Sequence, residues 1–446
     1  MTLSRSIPAC AIALFLLAAT PQVARAQYFE PSLDEGLTAF HYGDNDLAAR
    51  HFWRLAGKGD AKAQYYLAYM LDTGLGMGKD IVAAARWYKK SADQNFLPAV
   101  VYMGYIYSTG HGVTRDDKEA FKWYAKAANM GDPIAQNNLA TMLRAGHPYR
   151  QDLEVAAQWF YAAAVQGNTR AQYNLATMYR KGEGVPQNGT EALKWYTFAA
   201  NQGDVYAQNV LGFLYLNGIG VDKNESAAID WYRRAAEQGH TTSMMSLARL
   251  YEQGRGGGNE EFAATWYLRA AQEGSSYAKY RIGMMFLEGR GQFKQDKRQA
   301  VDMLVKSADE DGYAPAMVAL ARLREEEQNL REAKLWYERA AIAKEPSLSA
   351  MLELGRLAEQ AGDPVEALKW YLIAHELSQT SGTTDQRALA VQKRVQLTNT
   401  LSEDIVQRAR SAVESWKREK DADARREARR ALNSGSSSRT PAYEYE

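Results

Sequence analysis

The sequence predicts an all-α protein, an α-solenoid of about ten helix-turn-helix repeats in a right-handed superhelix that ends in a C-terminal capping helix pair. Two periodic features and one absence support this fold class. Tryptophan recurs every 34 to 36 residues, glycine-rich turns recur with the same period, and the alternating pattern of a strand is missing throughout. The tryptophans are Trp53, Trp87, Trp123, Trp159, Trp195, Trp231, Trp266, Trp336 and Trp370, with Met303 where one more would fall.

The first helix of a repeat is predicted from its ends and from one apolar stripe. In residues 132–167, Asp132 can cap the free amides and Pro133 suits the first helical position. Gly146 ends the helix, and the next two repeats have Gly-x-Gly-Val in the same place. The stripe has apolar residues at steps of four and three, namely Ala135, Leu139 and Met142.

The second helix places one aromatic residue between two alanines on the same face. Ala192, Tyr196 and Ala199 have this spacing, and Gly203 ends the helix. The small residues allow a neighbouring helix to approach while the ring fills the gap. We expect both rings of each adjacent Trp-Tyr or Trp-Phe pair to belong to the core.

The N-terminal segment, residues 1–26, has the order of a secretory signal peptide. Arg5 supplies a positive charge, Ala11 to Ala19 form an apolar run, and Ala24-Arg25-Ala26 suits cleavage after Ala26. The single cysteine, Cys10, would leave with this segment. No later stretch approaches the roughly 20 apolar residues of a membrane span. We therefore expect a periplasmic or secreted protein that does not span a membrane.

Two repeated motifs carry a family resemblance. They are A-x-x-x-L-G/A-x-x-Y-x-x-G-x-G-V, as in Ala207 to Val221, and A-x-x-W-Y-x-x-A-A-x-x-G, as in Ala192 to Gly203. Over residues 60–312 the chain resembles the Sel-1-like repeats, which are relatives of the tetratricopeptide repeat.

The flanking segments depart from this pattern. Residues 35–59, an N-terminal capping repeat, and residues 313–380 lack the G-x-G-V turn and are similar to ordinary tetratricopeptide repeats. Residues 385–420 are predicted to form the capping helices. Residues 432–446, rich in Ser, Arg and Tyr, are predicted to be disordered.

No catalytic, cofactor-binding or metal-binding constellation is predicted. The six histidines are far apart and none has the H-x-x-x-H spacing of a zinc helix. The G-x-G turns lack the residues of a phosphate-binding loop. A net charge of +1 argues against nucleic acid as the partner. The irregular turns at 146–149 and 255–258 are places where loops could carry a localised function.

A protein-binding groove is what the family resemblance implies. In tetratricopeptide repeats, exposed positions of each first helix line the inner face, and here they fall two residues before or after the repeated leucine. The alternative is that some of these rings pack against the adjacent repeat. The positions are Tyr65, Tyr69, Tyr105, Asn137, Thr141, Tyr173, Thr177, Asn209, Phe213, Met245, Arg249, Tyr280 and Met284.

We therefore expect an exported, non-enzymatic scaffold or adaptor that holds a protein or peptide in this groove. The resemblance implies a role in cell-envelope signalling, secretion or polysaccharide machinery, and the partner could be the periplasmic domain of a membrane protein. One alternative is a glycan-binding or peptidoglycan-binding module, which the aromatic residues would suit. Another is a weak β-lactam-binding or hydrolysing enzyme, although such relatives carry a disulfide in each repeat and this chain would have none.

Overall fold

The computed structural model describes residues 30–433, and within this range the chain forms 22 α-helices, one 3₁₀ turn and no strand. The all-α prediction is confirmed. The contacts divide the chain into two compact units, and the boundary between them along the sequence falls between Gln151 and Asp152. The predicted signal peptide lies outside the described residues, as does the predicted disordered tail except for residues 432 and 433, which are helical.

In the first unit, each helix packs against the next along the chain. Three helix pairs, α1–α2, α3–α4 and α5–α6, are followed by a seventh helix. The bounds are α1 Leu33–His41, α2 Asn45–Gly57, α3 Ala61–Thr73, α4 Ile81–Asp93, α5 Leu97–Thr109, α6 Asp117–Asn129 and α7 Pro133–Ala145.

The second unit continues the same pattern of consecutive, mutually packed helices. Its bounds are α8 Leu153–Val165, α9 Thr169–Lys181, α10 Gly189–Asn201, α11 Val205–Asn217, α12 Glu225–Glu237, α13 Thr241–Glu252, α14 Glu260–Gln272, α15 Ser276–Glu288, α16 Lys297–Asp311, α17 Ala314–Glu326, α18 Leu330–Ile342, α19 Leu348–Gln360, α20 Pro364–Leu377, α21 Thr384–Thr400 and α22 Glu403–Asn433. The two closing helices, α21 and α22, both pack on α20.

The helix ends follow the predicted capping chemistry. The Asp204 carboxylate accepts a hydrogen bond from the Ala207 amide at 2.7 Å and begins α11. Gly218 ends the same helix in the left-handed conformation, with φ of 71°, and its amide donates to the Leu214 carbonyl. Because both signals recur in most repeats, the period of the sequence becomes the period of the fold.

The second glycine of the G-x-G turn has a different reason to be glycine. Gly184 has a φ of 67°, and a Cβ built on it would lie 2.2 Å from the carbonyl oxygen of Leu153. Leu153 begins the second helix of the preceding repeat. The turn therefore touches the backbone of its neighbour, so the second glycine sets how closely two repeats approach.

The irregular turn after α7 replaces this contact with a side chain. Pro148 stands where other repeats have the second glycine. The His147 Nε2 lies 2.7 Å from Oδ2 of Asp117, the first residue of α6. Tyr149 packs its ring against Phe121, with the ring centroids 4.9 Å apart. The turn after α7 therefore contacts the preceding repeat through side chains, whereas the turn at Gly184 contacts its preceding repeat through the backbone.

The tyrosines of the Trp-Tyr pairs lie in the core as predicted, but the tryptophans do so only in part. Tyr196, Tyr267 and Tyr337 are fully buried. Trp53, which is followed by arginine and so belongs to no such pair, is 56% exposed. Of the other tryptophans of the series, Trp195, Trp266 and Trp370 are buried and the rest are partly exposed.

A basic side chain covers most of the partly exposed indoles. The Lys90 ammonium lies 3.9 Å from the Trp87 ring centre, and the guanidinium of Arg234 lies 4.6 Å from that of Trp231. Because cation and ring are three residues apart, they share one face of the helix. The indole is thus an amphipathic edge of the repeat, whereas the tyrosine beside it fills the interior.

Candidate functional site

The thirteen predicted groove residues lie on first helices, but their exposure differs. Four are exposed, six are partly buried and three are buried. The exposed residues are Tyr69, Tyr105, Phe213 and Arg249. The partly buried residues are Tyr65, Thr141, Asn209, Met245, Tyr280 and Met284. The buried residues are Asn137, Tyr173 and Thr177.

The buried residues pack inside the repeats. The Tyr173 ring lies 5.6 Å from that of Tyr196, and Thr177 Oγ1 lies 2.9 Å from the Tyr196 hydroxyl. Burial raises the pKa of Tyr173 to about 12, which reflects how little water reaches its hydroxyl. Asn137 is 6% exposed. These three side chains belong to the interior of the repeats and offer almost no surface to a partner. For them the alternative given above, packing within the repeat array, describes the structure better than the groove does.

Several of the remaining residues meet in a cleft of the second unit, which we call the α11–α13 cleft. It has a volume of about 560 Å³ and lies between two successive first helices. The α12 residue Tyr232 belongs to its lining and is itself buried. The lining includes Asn209 and Phe213 from α11, Thr242, Ser246 and Arg249 from α13, and Arg180 from α9.

The α11–α13 cleft is positively charged. Arg180, Arg249 and Arg255 contribute to its lining, and no carboxylate does among the described residues. Arg255 is neutralised, since its Nη2 lies 2.6 Å from the Glu225 carboxylate. That guanidinium holds the pKa of Glu225 below its usual range, although the small desolvation of this carboxyl opposes the shift. Arg180 donates from Nε to the Tyr196 hydroxyl at 3.3 Å, and Arg249 is exposed.

A second cleft, the α5–α7 cleft, occupies the same register in the first unit. It has a volume of about 420 Å³, and its lining carries no charge among the described residues. Tyr105 and Phe213 are 108 residues apart, which is three repeats of 36, so they hold equivalent positions. The lining comprises Val101, Tyr102 and Tyr105 from α5, Tyr124 from α6, and Ile134 and Asn138 from α7.

A polar cluster around the Asp72 carboxylate holds Tyr102, one of the residues that line the α5–α7 cleft. The Tyr102 hydroxyl donates to the Asp72 carboxylate at 2.7 Å, and His111 Nε2 lies 2.6 Å from the other oxygen of that carboxylate. Asp72 is on α3, so the cluster joins one repeat to the next. Burial and the bond to Asp72 raise the pKa of Tyr102, which keeps its hydroxyl a hydrogen-bond donor.

The sequence prediction missed the cleft residues outside the two positions that it considered. Thr242, Ser246 and Arg249 follow one another at steps of four and three, so they share one helix face. Ile134, Asn138 and Thr141 have the same spacing. Including every residue of this helix face in the prediction would have identified most of the lining of both clefts. Tyr232 and Arg180 lie outside the face, and only packing brings them to the cleft.

Metal-ligating side chains do not cluster in residues 30–433, where no group of three or more histidine, cysteine or acidic residues could hold an ion. His51 is buried and its Nδ1 accepts a hydrogen bond from the Ser32 amide at 3.0 Å, which is a structural role. Across the same part of the chain, every helix is too short or too polar to pass through a lipid bilayer.

Comparison with known families matches nine segments of the chain to the Sel1 repeat. They are residues 61–96, 97–132, 133–168, 169–204, 205–240, 241–275, 276–312, 314–344 and 348–378. The last two fall where the sequence resembles ordinary tetratricopeptide repeats. None of the curated proteins compared with the chain matches it.

Two crystal structures are similar in fold. One is c5321, described as a protective antigen present in uropathogenic Escherichia coli strains and displaying an SLR fold. It is 26% identical, with a TM-score of 0.54 over 82% of this chain and 94% of that chain. The other is a Sel1 repeat protein from Oxalobacter formigenes. It is 31% identical, with a TM-score of 0.54 over 65% of this chain and 87% of that chain.

Proposed function

Because this chain belongs to the Sel1 repeat family, we propose that it is a binding scaffold that holds a segment of a partner protein on its first helices. Sel1 repeats commonly serve as protein-interaction scaffolds, and stacked helical repeats expose long surfaces suited to that task. The action is binding rather than catalysis. Two clefts of equivalent register, one in each unit, are the contact sites.

The observation that carries this proposal is the exposed aromatic residue at each cleft. Phe213 is 47% exposed and Tyr105 is 42% exposed, and each lies beside a cleft whose lining includes a tyrosine of the second helix. Exposed aromatic residues beside pockets are typical anchors of protein interfaces. Neighbouring asparagine, serine and threonine side chains can bond the backbone of an extended peptide.

We further propose that the protein is exported and that this binding takes place in the periplasm or outside the cell. The order of charge, apolar run and small residues in residues 1–26 supports export. Within the cell envelope, the partner belongs to signalling, secretion or polysaccharide machinery. Fractionation of the native host, followed by N-terminal sequencing of the protein recovered, tests both the compartment and cleavage after Ala26.

The binding test compares aromatic residues of equal exposure on the two kinds of helix. Phe213 on α11 and Phe198 on α10 are both 47% exposed, but only Phe213 lines the cleft. Co-purification from an envelope extract, quantified by mass spectrometry, should lose its partners with Phe213→Ala and retain them with Phe198→Ala. Tyr105→Ala tests the cleft of the first unit in the same way, and its control is Tyr161→Ala on α8 of the second unit, where Tyr161 is 51% exposed.

Circular dichroism of each variant ensures that the helices are intact. Equal loss of partners in the cleft variant and its control, with normal helical content, would show that the first-helix clefts are not the binding surface. Equal retention in both would lead to the same conclusion.

A further inference from the structure

We infer that the α11–α13 cleft selects extended peptide segments that carry a carboxylate beside an apolar side chain. This inference rests on the proposed function and specifies the chemistry of the partner. The carboxylate would pair with Arg249 and Arg180, and the apolar side chain would pack on Phe213.

The first argument is that two cleft arginines have no carboxylate partner. Elsewhere in the second unit, arginines near the repeat turns are paired, as Arg255 is with Glu225 and Arg290 is with Glu260. No carboxylate of the described residues forms an ion pair with Arg180 or Arg249. Two unneutralised guanidinium groups on one cleft attract an anionic group, and guanidinium binds carboxylate in two-point geometry.

The nearest acid on α13 does not cancel this charge. Glu252 is engaged by Arg281 and accepts a hydrogen bond from the Tyr267 hydroxyl at 3.1 Å. Arg290 also lies 3.4 Å from it. Its charge is therefore compensated within the neighbouring repeat, and the cleft keeps its positive potential.

The second argument is that the polar side chains suit a peptide backbone. Asn209 Oδ1 accepts a hydrogen bond from the Ser243 hydroxyl at 2.9 Å, which orients the amide and leaves its Nδ2 to donate. Asn217 is held at the same helix by its bond to the Phe213 carbonyl at 2.8 Å. A fixed amide between an exposed ring and two arginines favours an extended chain over a compact anion such as phosphate.

The third argument is the contrast with the α5–α7 cleft. That cleft has the same register, but Val101 stands in place of Asn209 and Ile134 in place of Thr242. Its lining has no arginine. The two clefts should therefore differ in what they bind, since only the one in the second unit has charge to complement an acidic segment.

The test uses an array of octapeptides in matched forms, in which each Asp and Glu is replaced by Asn and Gln. The full chain should bind acid-bearing peptides about 10- to 100-fold more tightly than their amide forms, and less so at high salt. Arg249→Gln should remove that preference, whereas Arg249→Lys should retain part of it. Arg170→Gln is the matched control, because Arg170 is exposed on α9 and lies outside the cleft lining.

Arg180→Gln should act in the same direction as Arg249→Gln, and circular dichroism checks its fold because Arg180 bonds Tyr196. Equal binding of acid and amide forms by the unaltered chain would overturn the inference. Equal effects of Arg249→Gln and Arg170→Gln would overturn it too.

The two proposals fail in different ways. Peptide binding without acid preference, still lost with Phe213→Ala, would refute only the acidic partner. Absence of binding to every peptide, together with unchanged co-purification by Phe213→Ala, would refute the proposed function and this inference together.

Discussion

Gln238 donates from its Nε2 to the Oε1 of Gln208, thirty residues earlier, at 2.8 Å. Gln208 in turn donates to the Ala200 carbonyl at 3.1 Å, so one amide chain joins the ends of three helices. The same arrangement recurs where Gln202 bonds Gln172 at 2.7 Å. Each relay joins consecutive repeats through one buried glutamine, Gln208 or Gln172, whose hydrogen bonds fix the relative position of the helices more strictly than apolar contact does.

Gln208→Leu should therefore lower the free energy of unfolding by about 1–2 kcal/mol, because it removes one buried and one partly buried hydrogen bond. Gln238 is exposed, so Gln238→Leu should cost less than about 0.5 kcal/mol. Urea titration followed by circular dichroism measures both values. Equal losses in the two variants would mean that the bond from Gln208 to the Ala200 carbonyl, which only Gln208→Leu removes, adds nothing to stability.

Gly184→Ala should destabilise the chain more than Gly203→Ala does. Both glycines have positive φ, at 67° and 93°, which alone costs alanine roughly 1–2 kcal/mol. Only Gly184 also faces a backbone neighbour, the Leu153 carbonyl, while a Cβ on Gly203 would meet open space. The overlap adds about 1–3 kcal/mol.

Thermal unfolding of the two glycine variants separates the cost of the positive φ, which both variants share, from the cost of overlap with the Leu153 carbonyl. A midpoint for Gly184→Ala equal to that for Gly203→Ala would show that the turn accommodates a side chain without moving the neighbouring repeat.

Local chemistry explains which parts of the fold the sequence reveals. Caps such as Asp204 and turns such as Gly182 act within a few residues, so their spacing predicts the helices directly. Burial depends on neighbouring repeats, and the pair Trp336-Tyr337 has adjacent rings with unequal burial. For the same reason the predicted groove residues include Tyr173, although its ring is buried against Tyr196.

The cleft residues were only partly predictable. Phe213 and Arg249 follow from the register of the first helix, but Arg180 comes from the preceding repeat and Tyr232 from the intervening helix. Whether a cleft is open between two successive first helices depends on the size of the side chains at these positions. Ile134 and Thr242 line the two clefts, and the two first helices between them, α9 and α11, carry Arg170 and Tyr206 at the equivalent position.

Tyr337→Ala should be more harmful than Trp336→Ala, although tryptophan is the larger residue. Tyr337 is fully buried and its hydroxyl donates to Glu325 at 2.7 Å, so its loss should cost roughly 3–5 kcal/mol. Trp336 is partly exposed beneath Arg339, whose guanidinium lies 4.4 Å from the ring centre, and its loss should cost about 1–2 kcal/mol. Chemical unfolding measures the difference, and the reverse order would contradict the assignment of tyrosine to the core.

Protonation of His240 should loosen the helix that carries Arg249. Neutral His240 caps α13, since its Nδ1 accepts a hydrogen bond from the Ser243 amide at 3.3 Å. Burial lowers the pKa of His240 below its ordinary value of 6.5. As the pH falls, the unfolded chain therefore binds a proton first. The stabilisation from the cap is complete above about pH 6.5 and is lost as the pH falls through the folded-state pKa.

His240→Asn should make this cap independent of pH, because asparagine caps well and does not titrate. The difference in unfolding midpoint between the unaltered chain and His240→Asn should widen between pH 7.5 and pH 5.5, by an amount equivalent to about 1 kcal/mol. The other histidines are the same in both proteins, so their contributions cancel in the comparison. A charged His240 cannot accept from the Ser243 amide, although its Nδ1 lies 2.9 Å from the Ser243 hydroxyl oxygen and could donate to it. A difference that stays constant over this range would show that this bond replaces the cap and that α13 is insensitive to acid.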